Sequence, residues 1–423
     1  MSLSLDLPDK DYVWMQFSGA WSRERHVKER RLEQGIQSVG SIRGNSSHEH
    51  NPFIVLRRPS ATENAGEVMG FSLIYSGNHR MQAEVDTHDT TRITVGINPQ
   101  NFDWKLDCGE SFQTPEAVVV FSDKGLNGMS QTFHKLYQKR LARGYWRDRP
   151  RPILNNNWEA TYFDFTEDRL VEIAAKAKEC GVELFVLDDG WFGNRFPRND
   201  ARAGLGDWQE NRAKLPHGID GLSEKAEELG IRFGIWVEPE MVNPQSELFL
   251  SHPDWVIGLP GRENRLERSQ YLLDLSNPEV RGYILGVMRE LLGKHPGIAY
   301  VKWDCNRKIS DPGSAWLDAR HQGNLAIDYV RGYESVLDAL AEEFPQVVFQ
   351  ACSSGGGRAD YGTMRRHHEF WTSDNTDACE RVFMQWSIGH LFPAISMGAH
   401  VTASPNHQTG LSLIHISEPT RPY

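Results

Sequence analysis

Two aspartates stand directly after short apolar segments that are predicted to be buried strands. Asp304 ends the run 300–304 (YVKWD), and Asp374 follows the run 370–373 (FWTS). Lys302 lies on the same face of its strand as Asp304, and its ammonium would lower the pKa of Asp304. Fewer cations flank Asp374, so little would oppose the effect of burial, which raises the pKa of a carboxyl group. A carboxylate paired with a carboxylic acid is the arrangement that hydrolyses glycosidic bonds.

Other roles for these residues stay open. Asp304 has an alternative interpretation as a structural ion pair with Lys302 or Arg307, and Asp377 competes with Asp374 as the acid. Glu238 and Glu240 form a further carboxylate pair, for which structural hydrogen bonding is the preferred interpretation. The sequence has no Cys-x-x-Cys or His-x-x-x-His spacing, so neither a metal nor a cofactor is expected.

The elements that must position these side chains change character along the chain. Residues 1–125 alternate β-rich segments with turn clusters, which predicts part of an antiparallel β-sandwich. Residues 126–150 are predicted to be a helical linker, with a helix over 126–143. From residue 151 to residue 410, strands alternate with amphipathic helices, which predicts a parallel sheet of the α/β class. The predicted sandwich strands are 13–17, 53–57, 70–75, 82–86 and 117–120.

Polar residues recur at the carboxyl ends of the predicted parallel strands. A (β/α)8 TIM-type barrel would gather them at one face above one pocket, and we predict such a barrel, incomplete at its C-terminal end. An open doubly wound sheet is the alternative, but the Gly-rich phosphate loop typical of its first strand is missing. The predicted strands are 153–158, 184–187, 233–237, 299–303, 347–351, 370–373 and 395–399, and the predicted helices are 167–180, 222–229, 280–292, 325–343 and 380–390.

Composition narrows the function classes. The 423 residues carry a net charge of −11, which argues against a nucleic-acid partner. The basic run 23–31 is interleaved with glutamates and is interpreted as a solvated or inter-subunit face. The 13 tryptophans suit a sugar site, because flat rings pack on the apolar faces of pyranoses. Scattered cysteines, together with the lack of a signal peptide or a membrane-length apolar run, predict a cytoplasmic protein without a membrane partner.

Seven motifs, in order, resemble those of the bacterial and fungal α-galactosidases of glycoside hydrolase family 36. They are WMQFSGAW (14–21), NNWEAT (156–161), LDDGWFG (187–193), WVEPEMV (236–242), KWDCNR (302–307), CSSGGGR (352–358) and WTSDNTD (371–377).

The resemblance implies hydrolysis of terminal α-galactosyl residues from melibiose, raffinose and stachyose with retention of configuration. It makes Asp304 the nucleophile and Asp374 the acid/base. A homotetramer is also implied. A raffinose-synthase-like galactosyltransferase, an α-N-acetylgalactosaminidase and an inactive galactose-binding fragment are the alternatives. The implied sugar-binding residues are Trp21, Trp158, Asp188, Asp189, Arg268 (with Arg262 and Arg265 as neighbours), Lys302, Cys305, Asn306, Cys352 and Trp371.

Both ends of the chain differ from the family pattern. We expect the chain to begin within the sandwich domain and to lack the family's C-terminal β domain. Residues 411–423 resemble nothing in the family and are predicted to be a non-native tail.

Overall fold

The structure is a computed structural model that describes residues 1–259, 261–402, 405, 406 and 410. The predicted tail, residues 411–423, lies outside the described residues. None of the helices in the described part is long and apolar enough to cross a membrane.

The N-terminal region forms two antiparallel sheets around a shared core. One sheet has the strand order β1-β8-β7-β4 and the other β3-β2-β5-β6-β9. Trp14, Ile54 and Phe71 of the second sheet share one buried cluster with Met81 and Ile93 of the first, as in a β-sandwich. The strands are β1 (Leu3–Leu7), β2 (Val13–Ala20), β3 (Arg23–Arg31), β4 (Gly35–Gly40), β5 (His50–Arg57), β6 (Val68–Ile74), β7 (His79–Val85), β8 (Thr91–Ile97) and β9 (Glu116–Ser122).

The sequence predicted five of these nine strands. The interpretation of the basic run 23–31 as a solvated face is wrong at its beginning, because the run is β3 and both Glu24 and Arg25 are buried. Pairing of β3 with the apolar β2 supplies its backbone partners, so the strand forms despite a charged sequence.

The predicted linker helix packs on the sandwich. Helix α1 (Gly125–Leu136) continues into a π-helical turn (Tyr137–Leu141). Its buried residues Met129 and Phe133 lie on β6 at Gly70, where a Cβ atom would come within 2.4 Å of the Phe133 ring. Only glycine therefore allows this close approach of helix and sheet.

The remainder of the chain forms a parallel sheet with the predicted alternation of strands and helices. Its strand order is β10-β11-β12-β15-β16-β17-β18, with all neighbours parallel. The strands are β10 (Leu154–Asn156), β11 (Leu184–Leu187), β12 (Arg232–Val237), β13 (Met241–Val242), β14 (Tyr271–Leu272), β15 (Ile298–Trp303), β16 (Val348–Ala351), β17 (Glu369–Trp371) and β18 (Met397–Gly398), of which β13 and β14 form a separate antiparallel pair.

Helices connect the strands of this sheet. They are α2 (Trp158–Thr161), α3 (Glu167–Glu179), α4 (Gly218–Glu228), α5 (Glu247–Ser251), α6 (Pro278–Lys294), α7 (Leu325–Glu343), α8 (Tyr361–Met364) and α9 (Ala378–Ile388), and 3-10 turns lie at Pro253–Trp255, Gln322–Asn324 and Ala394–Ser396.

The parallel sheet curls as half of a barrel, which is consistent with an incomplete (β/α)8 fold. The sheet has seven strands among the described residues, one fewer than a complete (β/α)8 barrel. Strand β11, which has a neighbour on each side, is buried over its whole length, as expected where helices cover one face and a packed interior the other. The carboxyl ends of the strands meet at one edge, and this edge carries the predicted site.

Candidate active site

Asp304 follows β15, and four donors surround its buried carboxylate. The Oδ2 atom accepts hydrogen bonds from Trp236 Nε1 (3.1 Å) and Asn306 Nδ2 (2.8 Å). The Oδ1 atom accepts from the backbone nitrogens of Cys305 (2.8 Å) and Ser354 (3.3 Å). Such donors favour the ionised form of a carboxyl group.

The electrostatics of the site also keep Asp304 ionised. Burial acts to raise its pKa, but Lys302, the hydrogen bond from Asn306 and the charge of Arg268 together hold the pKa below its ordinary value. Lys302 Nζ lies 2.8 Å from Asp188 Oδ2 and forms its ion pair there.

Arg307 also turns away from Asp304. Its guanidinium donates to the carbonyl oxygens of Arg265 (2.6 Å) and Lys308 (3.3 Å). Since Lys302 pairs with Asp188, the alternative interpretation of Asp304 as half of a structural ion pair has no support among the described contacts.

Asp374 follows β17 and has the opposite electrostatic character. Its Oδ2 accepts from Trp21 Nε1 (2.8 Å) and its Oδ1 from Trp371 Nε1 (3.1 Å). Burial and then the negative charge of Asp304 raise the pKa of Asp374, against the opposing effects of Trp21 and Lys302. One carboxyl is thus favoured as an anion and the other as an acid, which is the division of roles that a pair of catalytic carboxyls needs.

Asp377, the alternative acid, caps a helix. Its Oδ1 accepts from the backbone nitrogens of Cys379 (2.9 Å) and Glu380 (3.1 Å) at the beginning of α9. This is the usual N-cap arrangement, in which the side chain satisfies amides that have no partner within the helix.

Asp188 and Asp189 follow β11, and each is held by a cation. Asp188 Oδ2 accepts from Asn156 Nδ2 (2.5 Å) as well as from Lys302. Both oxygens of Asp189 accept from Arg198, at 2.9 Å to Nε and 2.8 Å to Nη2, and both side chains are buried. Sequence reasoning missed Arg198, because it lies in an irregular loop where spacing carries no information about contacts.

Three further predicted residues lie near the carboxyl pair. The neighbouring Cys352 acts to lower the pKa of Asp304, while burial raises the pKa of Cys352 well above its ordinary value and keeps the thiol neutral. Arg268 Nη1 donates to Ser354 Oγ (3.0 Å), which places its charge near Asp304. Lys302 Nζ lies 6.0 Å from the centroid of the Trp371 ring.

Three predicted residues contribute in other ways. Trp158 follows β10, and its ring packs edge-on against Phe163 with centroids 5.0 Å apart. Trp21 is 59% exposed, although its indole nitrogen binds Asp374 of the same chain. The buried thiol of Cys305 contacts the Arg307 carbonyl, so the backbone amide is the part of Cys305 that binds Asp304.

The glutamates after β12 are buried in hydrogen-bond networks. Glu238 accepts from the Asn306 backbone nitrogen (2.6 Å) and Gln270 Nε2 (2.9 Å). Burial and the charge of Asp304 raise the pKa of Glu238 to about 8. Glu240 binds Arg358 through both oxygens, at 2.8 and 3.0 Å, which confirms the structural interpretation for this residue.

No group of three or more His, Cys, Asp or Glu side chains that could hold a metal ion occurs in the described part of the chain.

Comparison with known families identifies the family of this chain. Residues 111–415 match the family described as Melibiase, and residues 1–107 match the glycosyl hydrolase family 36 N-terminal domain. The chain is a melibiase-family member of glycoside hydrolase family 36. This confirms the resemblance seen in the seven motifs.

Two curated relatives of this melibiase-family chain are alpha-galactosidases. AgaA of Geobacillus stearothermophilus is 52% identical over 410 residues, which are 97% of this chain and 56% of AgaA. Mel36A of Lactobacillus acidophilus is 44% identical over 409 residues, or 97% of this chain and 55% of Mel36A. The crystal structure of AgaA superposes with a TM-score of 0.94 over 96% of this chain and 56% of AgaA. The chain thus spans about half the length of the relatives that it matches.

Proposed function

We propose that this chain carries the catalytic site of a retaining α-galactosidase. The observation that carries the proposal is the pair Asp304 and Asp374, which lie after β15 and β17 and have pKa values displaced in opposite directions. Alpha-galactosidase relatives at 52% and 44% identity support this reaction. Substituted forms of AgaA have been solved in complex with raffinose and with stachyose, which supports α-galactosyl oligosaccharides as substrates.

In the proposed first step, the Asp304 carboxylate attacks C1 of the galactosyl residue. The bond from C1 to the glycosidic oxygen breaks, and Asp374 gives its proton to that oxygen, so that the leaving sugar departs as a neutral alcohol. In the second step, Asp374 as a carboxylate takes a proton from water, the water oxygen attacks C1, and the ester to Asp304 is cleaved. Two displacements at C1 retain the configuration.

We assign the predicted sugar-binding residues to the pocket that contains Asp304 and Asp374. Lys302 and Asp188 offer a fixed donor and acceptor beside the nucleophile, and Arg198 holds Asp189 in one orientation. Galactose hydroxyls would bind to these groups, while Trp158 and Trp371 would provide apolar walls. Cys352 would stay a neutral lining group next to C1.

Hydrolysis of p-nitrophenyl α-galactoside tests the proposal. Asp304→Ala should lower kcat by more than about three decades, because no covalent intermediate can form. Asp318→Ala, which removes an exposed carboxyl from the loop after β15, is the matched control and should keep the parent rate. Full activity in Asp304→Ala would contradict the assignment.

Azide tests the role of Asp374 separately. A small anion attacks the galactosyl-enzyme without help from a base, so azide should accelerate Asp374→Ala and yield galactosyl azide. If azide rescues Asp377→Ala instead, the acid/base role belongs to Asp377.

A further inference from the structure

Glu24 belongs to the sandwich but is buried at the carboxyl ends of the barrel strands. It lies in β3, and its exposed fraction is 0%. Its Oε2 accepts a hydrogen bond from Ser373 Oγ (2.5 Å), and its Oε1 accepts from the Gly356 backbone nitrogen (3.5 Å). Ser373 directly precedes Asp374. A carboxyl group of one domain therefore holds the loop that carries the proposed acid of the other.

The neighbouring residues of the same hairpin reinforce this contact. Trp21 Nε1 donates to Asp374 itself, and the Ser22 carbonyl accepts from Asn375 Nδ2 (3.1 Å). Arg25 donates to the carbonyl oxygens of Thr372 (3.4 Å) and Gly356. Arg25 has φ = 56°, a backbone conformation that L-residues rarely adopt, so its buried position is maintained by these contacts.

The loop after β16 packs closely against Glu24. A Cβ atom on Gly355 would lie 2.7 Å from Glu24 Oε1 and 2.7 Å from the Asp374 backbone nitrogen. The loop after β16 and the loop after β17 thus meet directly on Glu24. In the loop after β16, the backbone nitrogen of Ser354 also donates a hydrogen bond to Asp304. The β2–β3 hairpin therefore contacts both loops that hold the two carboxyl groups.

We propose that Glu24 is a positioning residue for Asp374. Through Ser373 it fixes the backbone of 372–375, and so the direction in which Asp374 delivers its proton to the leaving oxygen. The inference rests on the proposed α-galactosidase function and assigns the β2–β3 hairpin a part in the protonation step. Small displacements of a proton donor are costly in rate, because proton transfer requires hydrogen-bond geometry.

The charges around Glu24 are compatible with this role. Burial raises its pKa to about 7, against the hydrogen bond from Ser373 and the charge of Arg25. His48 Nε2 lies 3.9 Å from Oε1, and burial lowers the pKa of His48 to about 4, so this ring is neutral. At mildly acidic pH a neutral Glu24 can therefore stand beside Asp374 without adding a second negative charge.

Substrates with different leaving groups distinguish positioning from general damage. Sucrose, released from raffinose, needs a proton to depart, whereas p-nitrophenolate departs without one. The ratio kcat/KM reports the first step, before Asp374 acts as a base, so Glu24→Ala should lower kcat/KM on raffinose by about 10- to 100-fold and kcat/KM on p-nitrophenyl α-galactoside by less than about 3-fold. Glu24→Gln keeps the size and one accepting oxygen, and should restore most of the lost rate on raffinose.

Glu29→Ala is the matched control, since Glu29 lies in the same strand and pairs with Arg57 at the surface (2.9 Å). This control should behave as the parent on both substrates. Equal loss of both activities in Glu24→Ala, or no loss on raffinose, would overturn the proposal.

Amide hydrogen exchange gives a second result that does not depend on turnover. Exchange in 372–376 should become about tenfold faster in Glu24→Ala than in the parent or in Glu29→Ala, because the loop loses a buried anchor. Unchanged exchange there would refute positioning by Glu24. If the parent hydrolyses neither substrate, the α-galactosidase function fails, and exchange alone decides whether Glu24 anchors this loop.

Discussion

Replacing Trp236 with phenylalanine should raise the pKa of Asp304. Trp236 Nε1 is one of four donors to this carboxylate, at 3.1 Å from Oδ2. A hydrogen bond to a charged group contributes about 1.5–3 kcal/mol. Since one pKa unit corresponds to about 1.4 kcal/mol, the pKa should rise by about 1 to 2 units. Phenylalanine would keep the aromatic ring that stacks on Phe192, with centroids 6.3 Å apart, so the loss is mainly the donor.

The pH dependence of kcat/KM on p-nitrophenyl α-galactoside measures this change. Its acid limb should report the ionisation of Asp304, the proposed nucleophile, in the free enzyme, because this group must be a carboxylate to attack. A higher pKa therefore moves the acid limb of Trp236→Phe to higher pH, by about 1 to 2 units.

Trp303→Phe is the matched control for this shift. Trp303 is as deeply buried, in the neighbouring strand β15, but its Nε1 donates to Glu240 (2.8 Å) and not to Asp304. The control should lose stability and leave the acid limb in place. An acid limb that moves equally in both variants, or in neither, would refute the view that the Trp236 donor sets the pKa of Asp304.

Two further predictions concern buried charge. Arg198→Met should lower the free energy of unfolding in urea by about 3–5 kcal/mol, because Asp189 would be left buried without its partner; Arg202→Met, whose ion pair is exposed, should leave unfolding unchanged. The pKa of Glu238 is about 8 in the folded chain, against an ordinary value of 4.5. The stability that comes from binding this proton is therefore complete below about pH 4.5, and it is lost as the pH rises through about 8. Thermal unfolding across this range should depend less on pH in Glu238→Gln, and an unchanged pH dependence would show that Glu238 does not bind that proton.

The accuracy of the predicted elements follows the strength of their periodicity. Strand β11 and helix α7 have the predicted bounds, 184–187 and 325–343, because a wholly apolar strand and a long amphipathic helix are local patterns. Strand β3 was missed because its charged sequence gives no strand signal. It exists through pairing with β2, a partner that the local pattern does not reveal.

The candidate site divides in the same way. Asp304 and Asp374 could be predicted because carboxyl groups at the ends of parallel strands have few structural uses. Trp236, Arg198 and Glu24 could not, since each acts through a contact with a residue from another element. An indole in β12, an arginine in an irregular loop and a glutamate in a charged strand look structural or solvated when read alone.

The sequence by itself determined the alternation of strands and helices, the two candidate carboxyls and the family, because side-chain type and periodicity are properties of neighbouring residues. The sequence also predicted that Lys302 would lower the pKa of Asp304 and that burial would raise the pKa of Asp374, and the structure agrees with both directions. Only the tertiary structure identified the more distant groups that set these pKa values. Burial and Coulomb interactions depend on groups that the fold brings together, such as Arg268 near Asp304 and Trp21 near Asp374. The same reason explains why Trp21 and Glu24 of the sandwich meet Asp374 of the barrel, although about 350 residues separate them.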